Sequence, residues 1–193
     1  MSPIQHFSVN RPCPGERVSG DAAFLRPVQG GWFAAVVDVL GHGPEAHELA
    51  EEIVAWLERN AQGNVVHTME RLHERLKGTR GAAAGLCFIT ESGKLEYVGT
   101  GNPTIRRFGS AETRLVARDG VVGHQMRTPH LQDLELEPGD LVLLYSDGVS
   151  DRFRLQDYPA IVRHDPPVVA RSVVRRFGKD HDDATCMALR YTG

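Results

Sequence analysis

Trp32-Phe33-Ala34-Ala35-Val36-Val37-Asp38-Val39-Leu40-Gly41-His42-Gly43-Pro44 runs from an apolar strand into a carboxylate, turns through two glycines and opens a helix at a proline. The pattern recurs at Leu141-Val142-Leu143-Leu144-Tyr145, which leads to Ser146-Asp147-Gly148. Two more aspartates stand at turns beside strands, Asp21 in Ser19-Gly20-Asp21 and Asp182 in Asp182-Asp183-Ala184-Thr185. A carboxylate at the end of a buried strand is costly unless something cationic meets it. If such strands are neighbours, two like charges about 4 Å apart repel by roughly 4 kcal/mol at an effective dielectric near 20. Divalent ions offset that repulsion, and oxygen-only ligands select hard cations such as magnesium or manganese.

Outward from Asp38 the chain divides cleanly. Upstream, strands are expected near Ile4 to Val9, from Ser19 to Val28 and from Trp32 to Val39, with Gln29-Gly30-Gly31 as a hairpin turn. Downstream, a helix from Pro44 places Ala46, Leu49, Ala50, Ile53 and Leu57 on one face. A second helix, capped by Asn64 and ended by Gly78, carries Val65, Met69, Leu72 and Leu76 as its stripe. From Ala82 to Tyr145 strands alternate with the turn signals Glu91-Ser92-Gly93, Gly101-Asn102-Pro103, Phe108-Gly109-Ser110 and Glu137-Pro138-Gly139-Asp140. A last helix from Asp165-Pro166 presents Val169, Ala170, Val173, Val174 and Phe177, Gly178 closes it, and Ala184 to Tyr191 reads as a final strand. This order gives an α+β sandwich of mainly antiparallel sheets with helices on the outside.

The 193 residues make one domain, 1–193, with a substantial core. A net charge of −3 and a pI near 6.3 exclude a general nucleic-acid binder. No stretch is apolar enough to span a membrane, and the start Met1-Ser2-Pro3-Ile4-Gln5-His6-Phe7 has no leader pattern, so a cytoplasmic monomer is expected. Cys13, Cys87 and Cys186 fit neither a disulfide framework nor a zinc site, and Cys87 and Cys186 are expected as buried thiols.

Four motifs occur in one order: Val18-Ser19-Gly20-Asp21; Asp38-Val39-Leu40-Gly41-His42-Gly43; Leu136-Glu137-Pro138-Gly139-Asp140 running into Leu144-Tyr145-Ser146-Asp147-Gly148; and Asp182-Asp183-Ala184-Thr185. In that order they resemble the PPM metal-dependent protein phosphatases, in the branch that contains SpoIIE, RsbU and RsbX, and most closely the stand-alone, sensor-free type RsbX. The resemblance runs from about Ser19 to Leu189. It implies an αββα sandwich with a centre of two manganese or magnesium ions between the sheets. It further implies that Asp38 bridges both ions, that the Val39 carbonyl ligates one, that Asp147 and Asp182 complete a shell, and that Asp21 reaches the metals directly or through water. Asp38 and Asp147 are the implied catalytic carboxylates, acting through an activated water that attacks phosphorus. Many members carry glycine where this chain has Val39, but a carbonyl ligand does not require glycine. Alignment to the family's acidic pair favours Asp182 over Asp183, and only one of the two is expected to face the metals, since neighbouring strand residues point to opposite faces.

The implied substrates are phosphoserine or phosphothreonine on STAS-domain proteins, either anti-anti-sigma factors or stressosome components. A non-catalytic adaptor of the same fold that binds STAS partners is the rival reading, and a phosphatase of small molecules stays open. Other residues carry plainer expectations. His42 is read as a loop or helix-start residue, Arg17 as an exposed strand residue, Asn102-Pro103 and Asp140 as turn residues, and Arg171, Arg175 and Arg176 as a solvated helix face.

Overall fold

In the computed structural model, which describes residues 3–193 with the side chain of Gln156 excepted, β3 (Gly31–Val39) sits between two apolar environments that define the layers. Met1 and Ser2, the start of the stretch read for a leader, lie outside the described residues. On one face of β3, Ala34 and Val36 meet Val142, Leu144, Met187 and Leu189 of the opposite sheet. On the other face, Phe33, Ala35 and Val37 pack under α1 (Pro44–Asn60) and α2 (Val65–Arg75). Both faces are covered, which is why this strand reads as a continuous apolar run rather than an alternating one.

Two five-stranded sheets result. One has the order β2 (Asp21–Val28), β3, β4 (Ala82–Thr90), β5 (Lys94–Thr100), β8 (Gln132–Glu135). The other has the order β1 (Ile4–Arg11), β10 (Ala184–Tyr191), β9 (Leu141–Tyr145), β6 (Thr104–Phe108), β7 (Glu112–Val116). Every strand pairing is antiparallel. The outer face of the second sheet is covered by α4 (Pro166–Phe177), whose Val169 and Val173 meet Leu143, Tyr145 and Cys186. The layers run helix, sheet, sheet, helix, as the element order implied.

The helices follow their sequence signals. Ala46, Leu49, Ala50, Ile53 and Leu57 are the buried residues of α1, which begins at Pro44 after Gly43 turns the chain at φ 79°. Asn64 caps α2, its Oδ1 accepting from the His67 amide at 2.9 Å. All three cysteines are buried free thiols. Among the described residues no helix is long and apolar enough to cross a membrane.

Some expectations are corrected. β2 starts at Asp21, not Ser19, because Ser19 and Gly20 belong to the loop in front of it; Arg17 is exposed in that same loop rather than on a strand. Between β7 and β8, residues 117–131 form an irregular connection instead of strand, tied down by paired amide bonds between Val122 and Ala82 at 2.9 and 3.1 Å. A short helix, α3 (Pro159–Arg163), precedes α4. Gly178 ends α4 in ordinary extended backbone, φ −66°; glycine is needed there because a Cβ would lie 2.4 Å from the Val174 carbonyl. The arginine face of α4 is not wholly solvated: Arg171 lies over Phe7 and Arg176 over Tyr158.

Candidate active site

Strand alternation carries the carboxylates to one end of the inter-sheet layer. Asp38 continues the face of Ala34 and Val36, and Asp21 is its direct partner across β2 and β3. In the facing sheet Ser146 continues the face of Val142 and Leu144, while Thr185 and Asp183 continue that of Met187 and Leu189. The apolar interior therefore ends in a layer of polar groups contributed by both sheets.

Those groups are joined across the sandwich. The Ser146 hydroxyl, fully buried, donates to Asp21 Oδ2 at 2.5 Å and accepts from the Thr185 amide at 3.1 Å. Asp183, 3% exposed, accepts from the backbone amides of Cys13 at 2.6 Å and Gly20 at 2.7 Å. Asp183 thus fastens the loop before β2 to the start of β10. Gly148 passes so close to this strand that a Cβ would lie 1.6 Å from the Asp183 carbonyl, so the Ser-Asp-Gly turn needs its glycine.

In front of this layer lies a pocket of about 230 Å³ where Asp38, Asp147 and Asp182 meet Asn102, His42 and Leu40. Asp38 comes from one sheet, and Asp147 and Asp182 follow or precede strands of the other. Burial and the neighbouring Asp147 carboxylate push Asp38 up from 3.8 to about 7, against the pull of a hydrogen bond from Asn102 Nδ2 at 3.0 Å. Asp182 is raised by burial and by Asp147. Asp21, buried behind the pocket, is raised well above the ordinary carboxylate range by burial and by Asp38.

The structure therefore places Asp38, Asp147 and Asp182 around one opening and Asp21 behind it, hydrogen-bonded away from the pocket wall. Val39 occupies the last position of β3, its side chain in the core and its amide donating to the Gly20 carbonyl at 3.1 Å. Among the described residues no three His, Cys, Asp or Glu side chains converge on one point as ready-made metal ligands. The three carboxylates line one pocket. An oxygen-only donor set with this excess of negative charge suits hard divalent cations.

Three participants escaped sequence reading. Asn102, assigned to a turn, also holds Asp38; Ser146 supports Asp21; and Asp183 ties down the Ser19-Gly20-Asp21 loop. The alternation Val142, Leu144, Ser146 was a usable signal for the second, whereas the partners of Asn102 and Asp183 are set by sheet order. His42 is a loop residue as expected, with Nδ1 at 2.8 Å from Glu16. Asp140 makes its turn, accepting from the Glu137 amide at 3.0 Å, and also pairs with Arg107 at 3.5 Å.

Known proteins share this frame. Residues 29–192 match the family model described as stage II sporulation protein E (SpoIIE). Phosphoserine phosphatase RsbX of Bacillus subtilis (strain 168) is 32% identical over 89 residues, which span 46% of this chain and 45% of that relative's length. A chain from "The bacterial stressosome: a modular system that has been adapted to control secondary messenger signaling" is 28% identical with a TM-score of 0.89, covering 97% of this chain and 99% of its own. RsbX in complex with magnesium superposes with a TM-score of 0.82 at 21% identity, over 98% of this chain and 96% of RsbX. The catalytic domain of the serine/threonine phosphatase PstP, in complex with two manganese ions, does so at 0.75 and 15% identity, over 98% and 99%. At these last two identities the likeness is one of fold, that of the PPM phosphatases. With most of its length inside the matched model and its acidic motifs gathered at one end of that fold, the chain belongs to the SpoIIE family.

Proposed function

We propose that this chain is a manganese- or magnesium-dependent phosphatase of phosphoserine and phosphothreonine in regulatory proteins. The observation that carries the reading is the meeting of Asp38, Asp147 and Asp182 around one pocket between the sheets, in a SpoIIE-family chain. Asp38, Asp147, Asp182 and the Val39 carbonyl would hold the ions, two being expected, with Asp21 supporting them from behind. Bound there, the ions would supply an acidified water for attack on phosphorus and offset charge on the phosphoryl oxygens.

The chain's own residues do the rest. Asn102 orients the Asp38 carboxylate through its amide, and Ser146 holds Asp21 in place. Among the described residues the pocket lining holds no Ser, Thr or Cys, and with its carboxylates assigned to the ions and His42 at Glu16, water is the nucleophile of the proposal. Leu40, 43% exposed at the rim, offers an apolar contact to the segment carrying the phosphorylated residue.

The substrates we propose are phosphorylated STAS-domain proteins. The reading is supported by the curated relative's being a phosphoserine phosphatase and by the similarity to a stressosome structure. Monomeric action in the cytoplasm completes the proposal. The test is release of phosphate from the source genome's phosphorylated STAS proteins by the purified chain with excess manganese, with Asp38→Asn as control. Release that depends on Asp38 is expected. Failure on every phosphorylated STAS protein and on aryl phosphates would overturn the assignment.

A further inference from the structure

A second opening lies at the other end of the sandwich. In β6, Thr104 pairs with Tyr145 beside the carboxylate pocket, while Phe108 pairs with Leu141 at the far end, and there a cleft of about 430 Å³ opens between the β6–β7 turn and α3. It shares no residue with the carboxylate pocket. Its volume falls within the range of small-molecule sites.

Its lining combines apolar surface from Phe108, Leu155 and Val162 with the charged groups of Arg163, Arg190 and Glu112. The Arg163 side chain is exposed and makes no ion pair or hydrogen bond among the described residues. Arg190 donates to the carbonyls of Gly139 at 2.9 Å, Val162 at 2.6 Å and His164 at 2.8 Å, but among the described residues to no carboxylate. Burial holds its guanidinium below the ordinary range, against the pull of Asp165 and Asp140. Of the acids at the cleft, Glu112 in its lining accepts from Arg106, with Nε at 2.8 Å, Asp140 pairs with Arg107, and Asp165 stands beside Arg190, which leaves Arg163 as the cation without an acidic partner among the described residues. At the turn, the Ser110 and Ala111 amides donate to no acceptor among the described residues.

We infer that this cleft is a binding site for a small organic anion, with its apolar body against Phe108 and Val162 and its acidic group between Arg163 and the Ser110–Ala111 amides. Unneutralised positive charge beside an apolar wall matches such a ligand, because guanidinium and free amides recognise oxyanions while the wall takes up apolar surface. The inference does not depend on the phosphatase reading.

Anilinonaphthalene sulfonate, an aromatic body with one anionic group, is the probe. Fluorescence titration of the full chain should show saturable binding at one site, with amide shifts in the protein's NMR spectrum centred on Ser110, Ala111 and Val162. Arg163→Glu should weaken binding by about tenfold or more. Ala111→Trp, which fills the cleft, should abolish it while circular dichroism stays unchanged. Arg163 is exposed, so Arg163→Glu still decides the matter if Ala111→Trp does not fold. Absence of saturable binding, shifts centred elsewhere, or equal binding by wild type and Arg163→Glu would overturn the site.

Discussion

Asp183→Asn separates the two adjacent aspartates at the start of β10. Asp183 is buried and accepts two backbone amides, those of Cys13 and Gly20, at 2.6 and 2.7 Å. Asparagine keeps one acceptor and turns the other into a donor facing an N–H, so one charge-assisted bond is lost and a buried amide is left without an acceptor. Bonds to charged groups contribute about 1.5–3 kcal/mol and an orphaned buried group adds to the loss, while neutralising Asp183 relieves its repulsion of Asp21, Asp38 and Asp182, for a net cost of about 2–4 kcal/mol. In a domain of this size that lowers the melting temperature by roughly 5–15 °C. Asp182→Asn is the comparison. Among the described residues Asp182 Oδ1 accepts only from the Asp183 amide, at 3.0 Å, which asparagine retains, and neutralising it relieves repulsion with Asp147. Its stability should stay within about 0.5 kcal/mol of wild type or rise. Urea denaturation of both variants in chelator measures this. Equal destabilisation of the two, or an Asp183→Asn midpoint indistinguishable from wild type, would refute the division of labour.

Two further outcomes follow from the same geometry. Folded Asp38 keeps its proton up to about pH 7, whereas the unfolded residue releases it near 3.8, so between those values the folded state binds more protons and metal-free stability falls as pH rises. Urea midpoints across that range should slope downward in wild type, less steeply in Asp38→Asn and less steeply with manganese present. Ser146→Ala removes the hydroxyl that donates to Asp21 at 2.5 Å; it should cost about 1–3 kcal/mol in urea denaturation and weaken manganese binding by about tenfold in calorimetry.

Much of the frame was legible because its elements carry their own signals. The apolar face of α1 and the Asn64 cap are local facts, settled within a few residues. The strand-end aspartates were legible for a similar reason, since an apolar run that ends on a carboxylate is unusual whatever its partners. What stayed hidden depends on distant partners. Residues 117–131 are held by bonds to Ala82 and Gly99, and α3 is held by Arg190, so neither announces itself in a local pattern. Asn102 meets Asp38 across 64 positions, and Asp183 meets Gly20 across 163. Such contacts follow from strand order, which a single sequence does not display. Arg106 is the clearest case: buried in β6, it bonds Glu112 and the Phe153 carbonyl and lies against the rings of Phe108 and Phe153.

If the carboxylates around the pocket form the proposed metal centre, rather than the remnant of one in an adaptor, the chain takes up manganese through them. Calorimetric titration of the chelator-treated chain with manganese, beside Asp38→Asn and Asp147→Asn, tests it most directly. Saturable uptake by wild type, weakened at least about tenfold in both variants, is predicted. No uptake, or uptake unchanged by either substitution, would contradict it and favour the adaptor.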